Sequence, residues 1–215
     1  VQAGGTGDMT VTAATNNPTL NIIGMLDYTG TGTGAESISM GNGTWTVSGN
    51  VSFTDGSVTA GNSTLVMNGT GKGIAGGGQT LNNVTILTTT IGISGDTTIG
   101  STLTIDSGRT LQIAENYTLT MAAGSNMSLN GTIDGLGILE LKDSSGANLG
   151  TSGVVRAKTR FTTASGDVTV PGRGYEGGIE LYNNTGTNRT VTLGTGGSQV
   201  ITSTGSFSVI ADGAG

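Results

Sequence analysis

The chain has 215 residues, among them 41 Gly, 39 Thr, 19 Ser and 16 Asn, against 8 Lys plus Arg and 14 Asp plus Glu, for a formal net charge of −6. A hydrophobic share of 33% with 4% aromatic residues is too small for a thick, helix-lined core. The absence of Cys and His removes thiol and imidazole chemistry, disulfides and zinc or haem ligation, and no stretch approaches the roughly 18 apolar residues of a membrane-spanning helix.

Residues 1–40 hold two loose alternations, Met9, Val11, Ala13 and then Leu20, Ile22, around Asn16, Asn17 and Pro18. They are expected to form an N-terminal extended segment able to serve as a subunit-joining strand. From residue 41 the pattern tightens. TWTVSG (44–49), STLVMNG (63–69), QTLNNVTIL (79–87) and DTTIG (96–100) alternate with period 2, which sends successive side chains to opposite faces of a strand.

The clearest repetition starts at Ser101 and reads in blocks of eight as STLTIDSG, RTLQIAEN, YTLTMAAG and SNMSLNGT. Its apolar pairs Leu103/Ile105, Leu111/Ile113, Leu119/Met121 and Met127/Leu129 each make a short strand followed by a turn. Further strands follow in GILELKD (137–143), VVRAKTRF (154–161), GDVTV (166–170), GIELY (178–182), RTVTLG (189–194) and SFSVIAD (206–212). No segment carries an i, i+3, i+4, i+7 apolar stripe, so no substantial helix is expected.

Short strands at a fixed stride, few aromatics and Gly, Asn and Ser at the turns exclude an ordinary sandwich and point to an all-β, single-stranded parallel β-solenoid over 41–215. With two or three strands per coil of roughly 16–24 residues, the chain makes about ten short coils stacked at about 4.8 Å. In-register Thr and Asn ladders explain how so many hydroxyl and amide groups are satisfied without charge.

The segments STLVMNGTGKGIAGGGQTLNNVTI (63–86) and STLTIDSGRTLQIAENYTLTM (101–121) resemble the degenerate repeats of β-solenoid surface proteins of the filamentous-haemagglutinin and adhesin type. The resemblance implies a secreted, extracellular or cell-surface protein with a structural or adhesive role. It carries over no catalytic residue and no cofactor.

Ten Asn-X-Ser/Thr sequons, at Asn42, Asn50, Asn62, Asn68, Asn83, Asn116, Asn126, Asn130, Asn183 and Asn188, are candidates for N-glycosylation of a charge-poor surface. A corner Asn followed by a Thr-rich strand also generates such triplets automatically. Arg156, Lys158 and Arg160, at i, i+2, i+4 in one expected strand, form a candidate anion or subunit contact, set against a solvated face paired with Glu140, Asp143 and Asp167. The acidic chain is a poor partner for nucleic acid. Calcium-binding Gly-Gly-X-Gly-X-Asp repeats are missing, since no Asp follows Gly76, Gly77 and Gly78 or Gly196 and Gly197 in that spacing.

A polysaccharide lyase or hydrolase would need clustered carboxylates, and only Glu140, Asp143, Arg156 and Arg160 are charge-dense, so the chain is not expected to be an enzyme. Neither terminus looks like a solenoid cap, which leads to the functional expectation of a homopolymer: an extracellular filament subunit joined head to tail through solenoid ends or strand complementation. The rival is a monomeric adhesin or viral tail-spike-like solenoid that binds host glycans.

Overall fold

The computed structural model describes residues 2–3, 9–30, 36–143, 149, 152–183, 185–194 and 200–211. Among these residues there is no α-helix, and every strand pairing is parallel. The fold is a parallel β-solenoid with three faces per turn.

Face one begins with Met9–Thr12, Glu36–Ser39 and Ser57–Thr59. Face two stacks Leu20–Ile22, Thr44–Val47, Thr64–Met67, residues 83–86, residues 102–105 and Asn126–Leu129. Face three is a seven-stranded sheet of Leu26–Asp27, Val51–Ser52, Lys72–Ala75, Thr90–Gly95, Thr110–Ile113, Thr132–Gly135 and Val154–Val155. Thr80–Ile86 and Thr97–Ile105 are long because each runs from face one to face two without breaking, with a register shift between Leu81 and Asn83 where the ladder turns the corner. Above residues 97–99, face one continues through Thr118–Met121, Ile138–Lys142, Lys158–Thr163, Ile179–Asn183 and Phe207–Ala211.

One side chain splices face one. Between Ser57–Thr59 and Thr80 no backbone ladder forms; instead the Gln79 amide accepts the Val58 N–H at 3.1 Å and donates to the Gly56 carbonyl at 3.1 Å. The Gln79 main-chain carbonyl in turn accepts the Thr98 N–H. A side-chain amide has the same donor and acceptor as a peptide group, so it carries the ladder across the gap.

The stride of eight is one face. Leu103 and Ile105 lie directly beneath Met127 and Leu129 on face two, three blocks later. Between them Leu111/Ile113 occupy face three and Leu119/Met121 face one. The inward residues stack as rows: Trp45, Leu65, Val84, Leu103, Met127, and beside it Val47, Met67, Ile86, Ile105, Leu129. All ten are buried. Each contributes about 1.5–3 kcal/mol by leaving water, which is how a chain poor in aromatics holds a thin core.

Corners are stacked as strictly as strands. Gly41 and Gly61 both take left-handed φ, +68° and +60°, and a Cβ on Gly61 would sit 2.3 Å from the Gly41 carbonyl oxygen. Beside them the Asn17 carboxamide oxygen accepts the Asn42 N–H at 2.7 Å, and that of Asn42 accepts the Asn62 N–H at 3.3 Å.

The seven strands of face three count about seven regular turns, fewer than the ten expected. The corners vary in length, so successive coils on that face advance from 19 residues (Lys72 beneath Ile91) to 25 (Leu26 beneath Val51). The described strands within residues 1–40, expected as a separate extended segment, pair as the opening of the ladder: Gln2–Ala3 with Thr29–Gly30, Met9–Thr12 with Glu36–Ser39, Leu20–Ile22 with Thr44–Val47, Leu26–Asp27 with Val51–Ser52. Their offsets of 25 to 27 residues, as in Leu20 to Trp45 and Met9 to Glu36, obscured the stride.

After Lys142 the regular pattern breaks. Arg173 ties the break down by donating to the carbonyls of Leu149 (3.4 Å), Ser152 (3.1 Å) and Gly153 (2.9 Å). The later face-two and face-three ladders are two-stranded, Val168–Val170 with Val191–Leu193 and Gly174–Tyr175 with Thr202–Ser203.

Candidate functional site

The charge-dense region is the outward side of face one. Thr120, Glu140, Arg160, Glu180 and Ser208 lie above one another in register. Glu140 accepts the hydroxyls of Thr120 at 3.0 Å and Thr162 at 2.8 Å, and Lys142 lies 3.7 Å from it. Glu180, 3% exposed, takes Lys158 on one carboxylate oxygen and Arg160 on the other. Burial alone would push the Glu180 carboxyl up; the hydrogen bonds and charges of Lys158 and Arg160 outweigh it and hold the group below the usual carboxylate range. The Arg160 guanidinium also stacks 5.2 Å from the Tyr182 ring centroid.

The cation triplet is therefore rearranged relative to its expected form. Lys158 and Arg160 share the strand Lys158–Thr163, whereas Arg156 lies in the preceding corner and pairs with Glu176 at 3.0 Å. The partners are Glu176 and Glu180, one coil away, rather than Glu140, Asp143 and Asp167. Glu140, Arg160 and Glu180 stand at a spacing of twenty, one coil length here, and that periodicity is the signal in the sequence that connects them.

Asp143 has a different task. It adopts φ 48° and its buried carboxylate accepts the N–H groups of Ala164, Ser165 and Gly166 and the Ser165 hydroxyl, at 2.7–3.1 Å. Desolvation raises its pKa, but the bonds from Gly166, Ser165 and Ala164 prevail and the carboxyl is held below its ordinary value. The two most buried acids of this region thus serve as structural acceptors.

Of the ten sequon asparagines, Asn42, Asn50, Asn62, Asn68, Asn116, Asn126, Asn130 and Asn188 are exposed, while Asn83 and Asn183 are half-buried. The latter two also commit their amide nitrogen, Asn83 to the Ser63 carbonyl at 3.3 Å and Asn183 to the Thr187 carbonyl at 2.9 Å. Asn50 and Asn68 use only the amide oxygen, toward the Gly73 N–H and the Ser48 hydroxyl.

A groove of about 520 Å³ crosses the outer side of face three, floored by Gly73 and Gly92 and edged by Asp27, Lys72, Ser94 and Gln112. No aromatic side chain lines it: Trp45 and Tyr175 are in the core, and Tyr182 lies under Arg160. Among the described residues no group of three or more acidic side chains is placed to hold a metal ion, and no helix is long and apolar enough to cross a membrane.

Inward-facing apolar side chains are left exposed on the last strand of face one among the described residues. Phe207 and Val209 continue the inward rows above Ile179 and Leu181, yet they are 53% and 71% exposed. Leu193 and Val200 are exposed as well. Compared with protein-family models, with curated proteins and with solved structures, the chain matches none.

Proposed function

We propose that this chain is an extracellular structural protein, the subunit of a cell-surface or matrix filament whose solenoids join end to end, with adhesion as a second role. The observation that carries the reading is the end of face one: Phe207–Ala211 pairs with Ile179–Asn183 on one edge only, and its inward side chains face no further coil among the described residues. An unpaired parallel edge over a bare apolar row is a template for another strand. A head-to-tail contact of this kind does not close and so propagates. The resemblance of 63–86 and 101–121 to adhesin-type repeats supports the surface location. The proposal assigns no catalytic role, because Glu140, Asp143 and Glu180 are engaged by hydroxyl, backbone and cationic donors.

Electron microscopy of the purified chain over a range of concentrations tests the reading. Filaments are expected for the natural sequence and short separate particles for Val209→Lys, whose circular dichroism and melting match the natural chain at concentrations where both are monomeric, because the position is exposed. Short particles from both chains at high concentration overturn it. The groove on face three favours a second reading, a monomeric rod that binds glycans there, and that reading gains if the natural chain does not polymerise.

A further inference from the structure

We infer that the corner at residues 114–118 is a glycan-binding ledge, and that its ligand is an uncharged pyranose ring seated against Tyr117 and Leu136. The site rests on the adhesive role stated above and lies in the middle of the stack, away from the strands that carry the filament joint.

The registers on either side show that this corner protrudes. Between the paired positions Ile93/Ile113 and Thr97/Leu119 the coil below spends three residues, 94–96, and this coil five, 114–118. On the other side, between Ile113/Gly135 and Thr118/Ile138, it spends four residues where the next coil spends two, Leu136 and Gly137. The extra residues close in a turn, with Tyr117 donating to the Ala114 carbonyl at 3.2 Å and Asn116 at a left-handed φ of 69°. The shorter corner is pressed onto the longer one: Gly137 donates to the Ile113 carbonyl and Ile138 to that of Tyr117, both at 3.0 Å, and a Cβ on Gly137 would lie 2.4 Å from the Ala114 carbonyl oxygen. A long corner beside a short one leaves a shelf, and the cleft of about 290 Å³ along it is lined by Glu115, Asn116, Tyr117, Leu136 and Lys158. Its backbone is already tied down, so little ordering cost falls on a ligand.

The lining has the chemistry of a sugar site. Of the eight aromatic residues, five are in the core, Tyr182 lies under Arg160 and Phe207 continues an inward row. Tyr117 is 38% exposed, and Leu136, in the same cleft, is 80% exposed. The C–H faces of a pyranose are apolar and slightly positive, which complements the face of a tyrosine ring, while its hydroxyls need donors and acceptors at the rim. Glu115 supplies acceptors, Lys158 donors and Asn116 both. The Lys158 ammonium has three N–H groups and gives one to Glu180. Charge selects against an acidic sugar: Lys158 is paired with Glu180 and Arg156 with Glu176, and Glu115 adds a further carboxylate to the rim. The groove on face three has no aromatic side chain and so lacks this combination.

The test uses the full chain from a host without N-glycosylation, so that Asn116 is bare, at concentrations where it is monomeric. It is titrated with cellotetraose, chitotetraose and maltotetraose, and with trigalacturonate as the acidic probe, and followed through the backbone amides by NMR. At least one neutral oligosaccharide is expected to shift the amides of residues 115–118 and 136–138 at millimolar concentration, with trigalacturonate at least tenfold weaker. Tyr117→Ala is expected to weaken the neutral ligand tenfold or more and Tyr117→Phe to keep it. Leu136→Asn, at a position too exposed to disturb the fold, is expected to weaken it severalfold. Binding that survives Tyr117→Ala and Leu136→Asn, or that shifts Gly73 and Gly92 instead, overturns the ledge while leaving the adhesive role standing. Trigalacturonate binding as tightly as the neutral sugars overturns the ligand class. No binding by any of the four overturns the ledge, and microscopy decides the filament separately.

Discussion

At Asn83 the amide nitrogen already donates to the Ser63 carbonyl, and at Asn183 to the Thr187 carbonyl, whereas Asn62 and Asn130 face solvent. N-glycosylation replaces one of the two hydrogens on that nitrogen, so a glycan at Asn83 or Asn183 would crowd a nitrogen already held against a carbonyl and bring a bulky group into a half-buried site. Glycopeptide mapping of folded chain secreted from a glycosylating host is expected to find occupancy only among the eight exposed sequons; a folded glycoform modified at Asn83 would contradict this. Ten identical triplets are therefore not ten equivalent residues. The triplet is legible in sequence, but its fate depends on whether the strand below uses its amide, which only the register shows.

Among the elements, the corner at 164–166 depends on one carboxylate. Asp143 is acidic beyond the ordinary range because three backbone N–H groups and a hydroxyl converge on it, so it binds fewer protons folded than unfolded. Its contribution is complete above the unfolded pKa near 3.9 and is lost as the pH falls through the lowered native value. Asp143→Asn keeps the shape but not the charge, and is expected to reduce stability at pH 7 by about 2 kcal/mol, the scale of a charged hydrogen bond. Thermal melts at pH 7 and pH 3 check it: the variant should lose less on acidification than the natural chain, and an equal loss in both would show that this carboxylate is not a source of the acid sensitivity. Gln79 plays the corresponding part on face one, where its amide stands in for a missing strand. Nothing in the sequence around Gly76, Gly77 and Gly78 marks that glutamine as structural, because its partners Val58 and Gly56 are a coil away.

For the whole molecule, contacts run almost entirely between successive coils, so stability adds layer by layer and is lowest where a layer has one neighbour. Amide exchange measured by NMR under conditions that keep the chain monomeric is expected to be slowest for Leu103, Ile105, Leu119 and Leu139, in the middle of the stack, and fastest in Met9–Thr12 and Phe207–Ala211. Uniform protection along the chain would contradict the layered picture. In the filament the same end strands should become protected.

Alternation, stride and turn residues were sufficient by themselves to define strands, corners and a parallel solenoid, since period 2 and a fixed repeat are local properties of the chain: Leu103, Leu111, Leu119 and Met127 declare the pattern within 25 residues. The exclusion of thiol and imidazole chemistry is equally a matter of composition. Tertiary structure alone decided the number of turns, the inclusion of Met9–Thr12, Leu20–Ile22 and Leu26–Asp27 in the ladder, and the pairing of Lys158 and Arg160 with Glu180. Each of these depends on corner length, which shifts the register between coils by several residues, and a parallel ladder brings together side chains about twenty positions apart only once that register is set.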